Sequence, residues 1–183
     1  NTGLGSHQYT AFNKVLFSGS DSIVNGRFSF TAPVPMDISY SDEQGLLSFF
    51  AVDSSFLRSA QGRYENFTVG GTAQDVVNDG IGPDIKLYLN DPSFVDGDEV
   101  NSTPCLWVEL YDENGINTVG TGVGHDITAM IDNSPHHTYN LNSMFVPEVG
   151  DYKRGKIMLP LNRLDPGEHT LVLRAWDLYN NSS

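Results

Sequence analysis

Residues 106–111 read Leu-Trp-Val-Glu-Leu-Tyr, and the alternation of aliphatic with other side chains in this stretch is typical of a β-strand. Successive side chains of a β-strand point to opposite faces, so Leu106, Val108 and Leu110 would share one buried face. The same period of two recurs earlier in the chain, at Ile85–Leu89. A period of 3.6, which an amphipathic helix would show, does not extend over more than two turns anywhere. The sequence therefore predicts an all-β protein.

Short strands and frequent turns fill the chain from residue 83 to its end. Roughly six or seven strands, with turns about every 8–15 residues, predict an immunoglobulin-like β-sandwich. The single cysteine excludes the Cys…Trp…Cys core of antibody domains. The last residues, 180–183, have the composition of a turn, so we expect this sandwich to lack its last strand.

The residues before this sandwich predict a second β-rich module. Asn25-Gly26 is the strongest short hairpin signal in it, and roughly five strands are expected there. A stretch rich in Gly, Asn and Asp at 73–82 predicts a linker. The chain should thus contain two consecutive antiparallel β-sandwich modules, at 1–72 and 83–183, of which the first is incomplete at its N-terminus.

Composition narrows the partners and the compartment. The formal net charge of −13 makes nucleic acid a poor partner, because few cations would neutralise its phosphates. There is no apolar run near the roughly 18 residues of a membrane-spanning helix. The sequence begins at Asn1 with neither an initiator Met nor a signal peptide, so we expect a piece of a longer protein. The acidic charge is typical of a protein that stays soluble outside the cytoplasm.

Catalytic patterns are absent from the sequence, and we expect no enzymatic activity from this part of the protein. Cys105 lies between Pro104 and Leu106 at the start of a strand, without a helix N-terminus or a glycine-rich elbow that would lower its pKa. His125 and Asp126 are adjacent, and adjacent strand residues point to opposite faces, so a role in anchoring a turn is the better interpretation. No zinc-ligand spacing occurs.

Calcium is the metal that the acidic loops would suit. Asp96 and Asp98 lie in a carboxylate-rich loop between two strands, and Asp112 begins the turn after the next strand. Carboxylate and carbonyl oxygens are the ligands that Ca²⁺ prefers. The other interpretation is that these side chains hydrogen-bond to the backbone of their own turns.

Aromatic side chains leave a second function open. Tyr88, Trp107, Tyr111 and Trp176 could form an exposed surface that binds carbohydrate, as in an adhesion module of a bacterial surface protein. They could equally pack against one another across neighbouring strands. Their exposure decides between these interpretations.

An ordered series of short motifs resembles one family. The series includes Gly82-Pro83-Asp84-Ile85-Lys86-Leu87-Tyr88-Leu89-Asn90-Asp91, Asp112-Glu113-Asn114-Gly115, Gly120-x-Gly122-x-Gly124-His125-Asp126-Ile127 and Ala175-Trp176-Asp177-x-x-Asn180-Asn181. In order and spacing these motifs resemble the β-sandwich region that follows the gingipain-type cysteine peptidase domain in PorU-type sortases of the type IX secretion system. The resemblance runs from about residue 17 to the end of the chain.

The resemblance implies a protein of the Gram-negative cell surface, associated with the outer membrane. The full enzyme of this family removes C-terminal sorting domains from secreted cargo and helps to transfer the cargo to lipopolysaccharide. The implied partners are the remainder of the parent chain with its upstream peptidase domain, an outer-membrane β-barrel protein and secreted cargo.

No catalytic residue of the family is carried over, because the peptidase domain would lie upstream of Asn1. The matching positions receive scaffold roles: glycine for a tight turn, and a strand end that offers an aromatic ring to the core and a carboxylate to the next turn. These positions are Gly124, His125, Asp126, Trp176, Asp177 and Asn180.

Overall fold

The structure, a computed structural model, describes residues 15–36, 44–71, 73–120 and 124–183. Its strands are β1 (Leu47–Val52), β2 (Ser59–Tyr64), β3 (Asp84–Leu89), β4 (Cys105–Tyr111), β5 (Thr128–Ile131), β6 (Thr138–Asn140), β7 (Val146–Glu148), β8 (Asp151–Pro160) and β9 (Leu171–Arg174). Two 3₁₀ turns occur at Pro135–His137 and Asn142–Met144, and these described ranges contain no α-helix. The predicted all-β class with antiparallel sheets is confirmed.

The chain divides into two compact units. The first contains Val15 and the described residues of 44–76, and the second contains 16–36 and the described residues from Val77 onward. The change from one unit to the other at Val77 lies inside the stretch that the sequence marked as a linker. Residues 16–36, which the sequence interpretation placed in the first module, belong to the second unit.

The second unit is a β-sandwich. One sheet has the strand order β3-β4-β8-β7 and the other has the order β6-β5-β9, and every neighbouring pair is antiparallel. In the first sheet, Leu106 of β4 pairs with Leu89 of β3 and with Leu159 of β8. The alternation along β4 therefore sends its aliphatic side chains into the space between the sheets, as the sequence predicted.

The hydrophobic core lies within this sandwich. Both sheets contribute to it, together with residues just outside the strands: Leu106, Val108, Leu110, Ile116, Ile127, Ala129, Ile131, Leu141, Ile157, Leu161 and Ala175. Truncating a buried leucine in such a core to alanine removes about 2–5 kcal/mol of unfolding free energy. The core fixes the strand ends and thereby the loops that emerge from them.

The first unit shows a single two-stranded antiparallel sheet, β1-β2, in the described residues. About five strands were expected before the linker, and this number is wrong for the part that the structure describes. The sequence missed β2, Ser-Ala-Gln-Gly-Arg-Tyr, because it is exposed along its whole length and has no apolar alternation. The turn predicted at Asn25-Gly26 is present, with positive φ at both residues and a bridge between Val24 and Arg27.

The end of the chain pairs with the residues that follow β9. The N–H of Ala175 donates to the carbonyl of Ser183 at 3.1 Å, and the N–H of Ser183 donates back at 3.2 Å. A bridge between Trp176 and Ser182 adds to this pairing. The residues that the sequence marked as a final turn therefore also begin an antiparallel pairing beside the edge of the three-stranded sheet.

Candidate functional site

The loops at one end of the sandwich hold two buried carboxylates. Asp112 follows β4 directly and is 5% exposed, and Asp177 is the third residue after the end of β9 and is fully buried. A bridge between Ile116 and Asp177 and a 2.8 Å hydrogen bond from the N–H of Asn117 to the carbonyl of Trp176 join the two segments. We call Asp112, Asn117 and Asp177 the loop-end cluster.

Each carboxylate organises the turn in which it lies. Asp112 Oδ1 accepts the N–H groups of Asn114 at 2.7 Å and Gly115 at 3.1 Å. Gly115 has a φ of +102°, and a Cβ at this position would approach Tyr152 at 2.8 Å, so the turn requires glycine. The acidic turn predicted to hold calcium thus satisfies its own backbone.

Asp177 closes the turn that ends the chain. Its Oδ1 accepts the N–H groups of Tyr179 at 2.9 Å and Asn181 at 2.7 Å, and its Oδ2 accepts the side-chain amide of Asn181 at 2.7 Å. The same amide donates to Asn78 Oδ1 at 2.7 Å. Asp177 was predicted to serve the next turn, and its contacts are of that kind. Asn78 could not be recognised from the sequence, because the composition of the loop around it indicated only a linker.

Burial places Asp112 in an unusual electrostatic environment. Desolvation raises the pKa of Asp112 to about 6, and the negative charges of Asp177 and Asp79 add to this effect, against the hydrogen bonds from Asn114 and Gly115. A carboxyl group in such a site changes its charge in the mildly acidic range. A perturbed pKa of this kind occurs at functional sites and in structural networks alike.

The motif residues His125 and Asp126 form a second set of contacts. The His125 ring lies 4.3 Å from the Trp176 ring between centroids, so the structure brings these two motif residues together. Asp126 Oδ1 accepts the side-chain amide of Asn142 at 2.7 Å, and Asn142 Oδ1 accepts the N–H of Ile127 at 2.7 Å. Asp126 anchors a neighbouring segment through Asn142.

The remaining motif positions lie close by. Gly124 has a φ of +87°, which fits the turn expected there. Trp176 was expected to offer its ring to the core, but the ring is only half-buried and rests on His125. Asn180 has a positive φ of 66°, and its buried Oδ1 has no hydrogen-bond partner among the residues that the structure describes.

The three predicted calcium ligands are not brought together. Asp96 and Asp98 lie in the loop before β4, whereas Asp112 follows its other end. The seven residues of this extended strand, about 20 Å in length, separate the two positions. Asp98 Oδ2 accepts the N–H of Val95 at 2.8 Å, which is the turn-capping alternative. In the part of the chain that the structure describes, no group of three or more His, Cys, Asp or Glu side chains could hold a metal ion. Calcium binding stays a prediction.

The aromatic side chains of the first sheet are partly covered. Tyr88 and Trp107 are cross-strand neighbours and both are half-buried. Tyr111 borders a polar groove of about 420 Å³, but the Arg154 guanidinium lies 4.1 Å above its ring. These contacts are of the kind that the cross-strand interpretation expects, and carbohydrate binding stays an alternative that the geometry does not test.

Cys105 has the environment of a structural thiol. It is half-buried at the start of β4, and its Sγ lies 3.7 Å from the carbonyl of Leu106. A neutral backbone oxygen does not lower the pKa of a thiol, so this contact does not make Cys105 a stronger nucleophile.

Comparison with known proteins gives a structural relative. This chain matches the crystal structure of dimeric latent PorU from Porphyromonas gingivalis with a TM-score of 0.57. The match covers 82% of this chain, with 40% sequence identity. This chain is similar to a region of PorU. The match spans 14% of the PorU chain, so the similarity concerns a small part of that protein. No protein-family model matches the chain, and no curated protein matches it.

The PorU similarity and the sequence motifs point in the same direction. The short motifs of the sequence resemble PorU-type sortases, and the solved PorU structure matches this chain in sequence and in fold. Within the described ranges, no helix has the length and apolar character that a membrane crossing needs.

Proposed function

We propose that this chain is a non-catalytic scaffold region of a PorU-type sortase of the type IX secretion system. The observation that carries the proposal is the 40% identity to PorU over 82% of the chain. The loop contacts support it, because every motif residue with a described hydrogen bond uses that bond to hold turns and strand ends. The parent protein would carry a gingipain-like cysteine peptidase domain and act at the outer-membrane surface.

A scaffold role makes a specific claim about activity. Peptidase turnover should require the parent protein, and the 183-residue chain alone should cleave no peptide that carries a cargo sorting sequence. The test compares both proteins on the same peptide substrate. Turnover by the isolated chain that disappears in Cys105→Ser would overturn the proposal.

The proposal extends to a docking role. The region would contact the rest of its own polypeptide and offer a surface to the outer-membrane β-barrel partner or to secreted cargo. Binding of the purified chain to each of these proteins, measured by biolayer interferometry, tests the outer contacts. Absence of binding to either would remove that part of the proposal and leave the scaffold role.

The coding sequence on both sides of this region is the quickest check. A gingipain-like peptidase domain upstream would support the proposal. Flanks built only from repeated β-sandwich modules would instead favour an adhesion protein.

A further inference from the structure

The hairpin β1-β2 displays large apolar side chains to solvent. Phe56 and Leu57, in the loop that joins the strands, are 81% and 85% exposed, and Phe50 on β1 is 74% exposed. Exposed apolar groups gathered in one region mark interaction sites in soluble proteins. We call Phe50, Phe56 and Leu57 the apolar tip.

The backbone of this loop is held in place by Asp53. Its Oδ1 accepts the N–H groups of Leu57 at 3.0 Å and Arg58 at 3.3 Å. The N–H of Asp53 donates to the carbonyl of Arg58, and the N–H of Phe56 donates to the carbonyl of Asp53, both at 3.0 Å. Desolvation opposes ionisation of Asp53, but hydrogen bonds from Ser55, Arg58 and Leu57 outweigh it and hold the pKa of Asp53 below its ordinary value.

Phe56 adopts a conformation that needs this support. Its φ is +57°, in the left-handed region that bulky side chains rarely enter. Backbone of this kind persists where the surroundings hold it, and it is found at clamps and binding elements. The loop thus presents its apolar side chains in a fixed arrangement, which lowers the entropy lost on docking.

We infer that the apolar tip docks into an apolar pocket on the remainder of the parent polypeptide, an inference that rests on the proposed function. The match spans only 14% of a PorU chain, so most of such a parent lies outside these residues. A two-stranded hairpin is at best marginally stable by itself, and among the described residues of the first unit no further strand pairs with this one. A surface on the same polypeptide is present at a high effective concentration.

The distribution of apolar surface agrees with this occupant. Every residue of the hydrophobic core follows Gly82, whereas five exposed large hydrophobic side chains lie on the hairpin and its loop between residues 47 and 64: Phe50, Val52, Phe56, Leu57 and Tyr64. The net charge of −13 opposes approach to an anionic bilayer, so a membrane is a poorer occupant than protein.

Alkylation of a single thiol tests the inference. Leu57→Cys is made in a Cys105→Ser background, both in the 183-residue chain and in the full parent protein. Labelling of the new thiol by N-ethylmaleimide is followed by mass spectrometry of the peptide that contains residue 57. We expect labelling at least tenfold slower in the parent. Val149→Cys, at a site that is 65% exposed in the second unit, serves as the matched control for general slowing.

A companion variant separates docking from folding. Phe56→Asn removes the ring, and asparagine tolerates a positive φ, so the loop should keep its backbone. In the parent we expect this change to restore at least tenfold faster labelling at residue 57.

The other outcomes overturn the inference. If the parent carries the peptidase domain and residue 57 is labelled as fast in the parent as in the isolated chain, docking alone is overturned. If the parent lacks that domain, the proposed function is overturned. Slow labelling of the isolated chain as its concentration rises would show that a second copy covers the tip. Slow labelling only with phosphatidylglycerol vesicles would assign the tip to a membrane.

Discussion

Asp112 couples the loop-end cluster to pH. Its folded pKa of about 6 lies above its ordinary value of 3.8, so the native state holds a proton between about pH 4 and 6 that the unfolded chain releases. The contribution of Asp112 to the unfolding free energy is therefore fully present below about pH 4 and is lost as the pH rises through about 6. We expect the unfolding free energy to fall by on the order of 2–3 kcal/mol across this window, as measured by urea denaturation.

Asp112→Asn isolates this effect. The amide oxygen can still accept the N–H groups of Asn114 and Gly115, and the side chain carries no charge at any pH. In this variant the unfolding free energy should no longer decline between pH 4 and 6, and at pH 7 it should exceed that of the unsubstituted chain. The exposed Asp98→Asn is the control, and a decline that persists in Asp112→Asn would show that another group causes it.

His169 should give a pH effect in a higher range. Its Nε2 lies 2.8 Å from the carbonyl of Asp165 and its Nδ1 lies 2.7 Å from Asp132 Oδ2. A neutral imidazole can donate only one of these bonds, so the carbonyl and the carboxylate together raise the pKa of His169 above 6.5. Stability from this pair is complete below pH 6.5 and is lost as pH rises through the folded pKa.

Proton NMR titration of the imidazole checks this expectation. Asp132→Asn should lower the pKa of His169, because the carboxylate that favours the cation is gone. An unchanged pKa in this variant would show that the carbonyl of Asp165 acts alone.

At the scale of elements, alternation predicted the strands that have one buried face. Leu106, Val108 and Leu110 face the core because a period of two places them on one side of β4. The separation of the predicted calcium ligands Asp96, Asp98 and Asp112 has a simple cause. The loop with Asp96 precedes β4 and Asp112 follows it, so the length of the strand separates them. The contacts among Asp112, Asp177 and Asn78 could not be predicted, because they depend on which strand ends meet in space.

The free edge of β9 gives a prediction for a single element. Ala175 exchanges both of its backbone hydrogen bonds with Ser183. Alternate residues of an antiparallel strand bond to the same side, so Leu171 and Leu173 face the edge of β9 at which the described residues place no partner strand. Their amides should exchange with deuterium much faster than that of Val172, which faces β5. Hydrogen-exchange NMR on the 183-residue chain measures this difference.

The same experiment on the parent tests the predicted last strand. A strand supplied after Ser183 would run back along β9 and protect the amides of Leu171 and Leu173. Fast exchange of both amides in the parent would mean that this edge stays open and that the sandwich is complete without another strand.

At the scale of the whole molecule, the charge sets the response to ions and offers a test for calcium. A net charge of −13 destabilises a compact chain through self-repulsion, and salt screens that repulsion, so added salt should raise the melting temperature. Because the predicted ligands Asp98 and Asp112 lie at opposite ends of β4, we expect CaCl₂ and MgCl₂ to give equal increases at equal ionic strength. Differential scanning calorimetry over a salt series makes the comparison. A larger increase with Ca²⁺ that is lost in Asp98→Asn would place a calcium site in the loop before β4. A larger increase that is lost in Asp112→Asn would place the site in the loop-end cluster. Calcium bound there would neutralise the buried carboxylates and remove the pH dependence expected for Asp112.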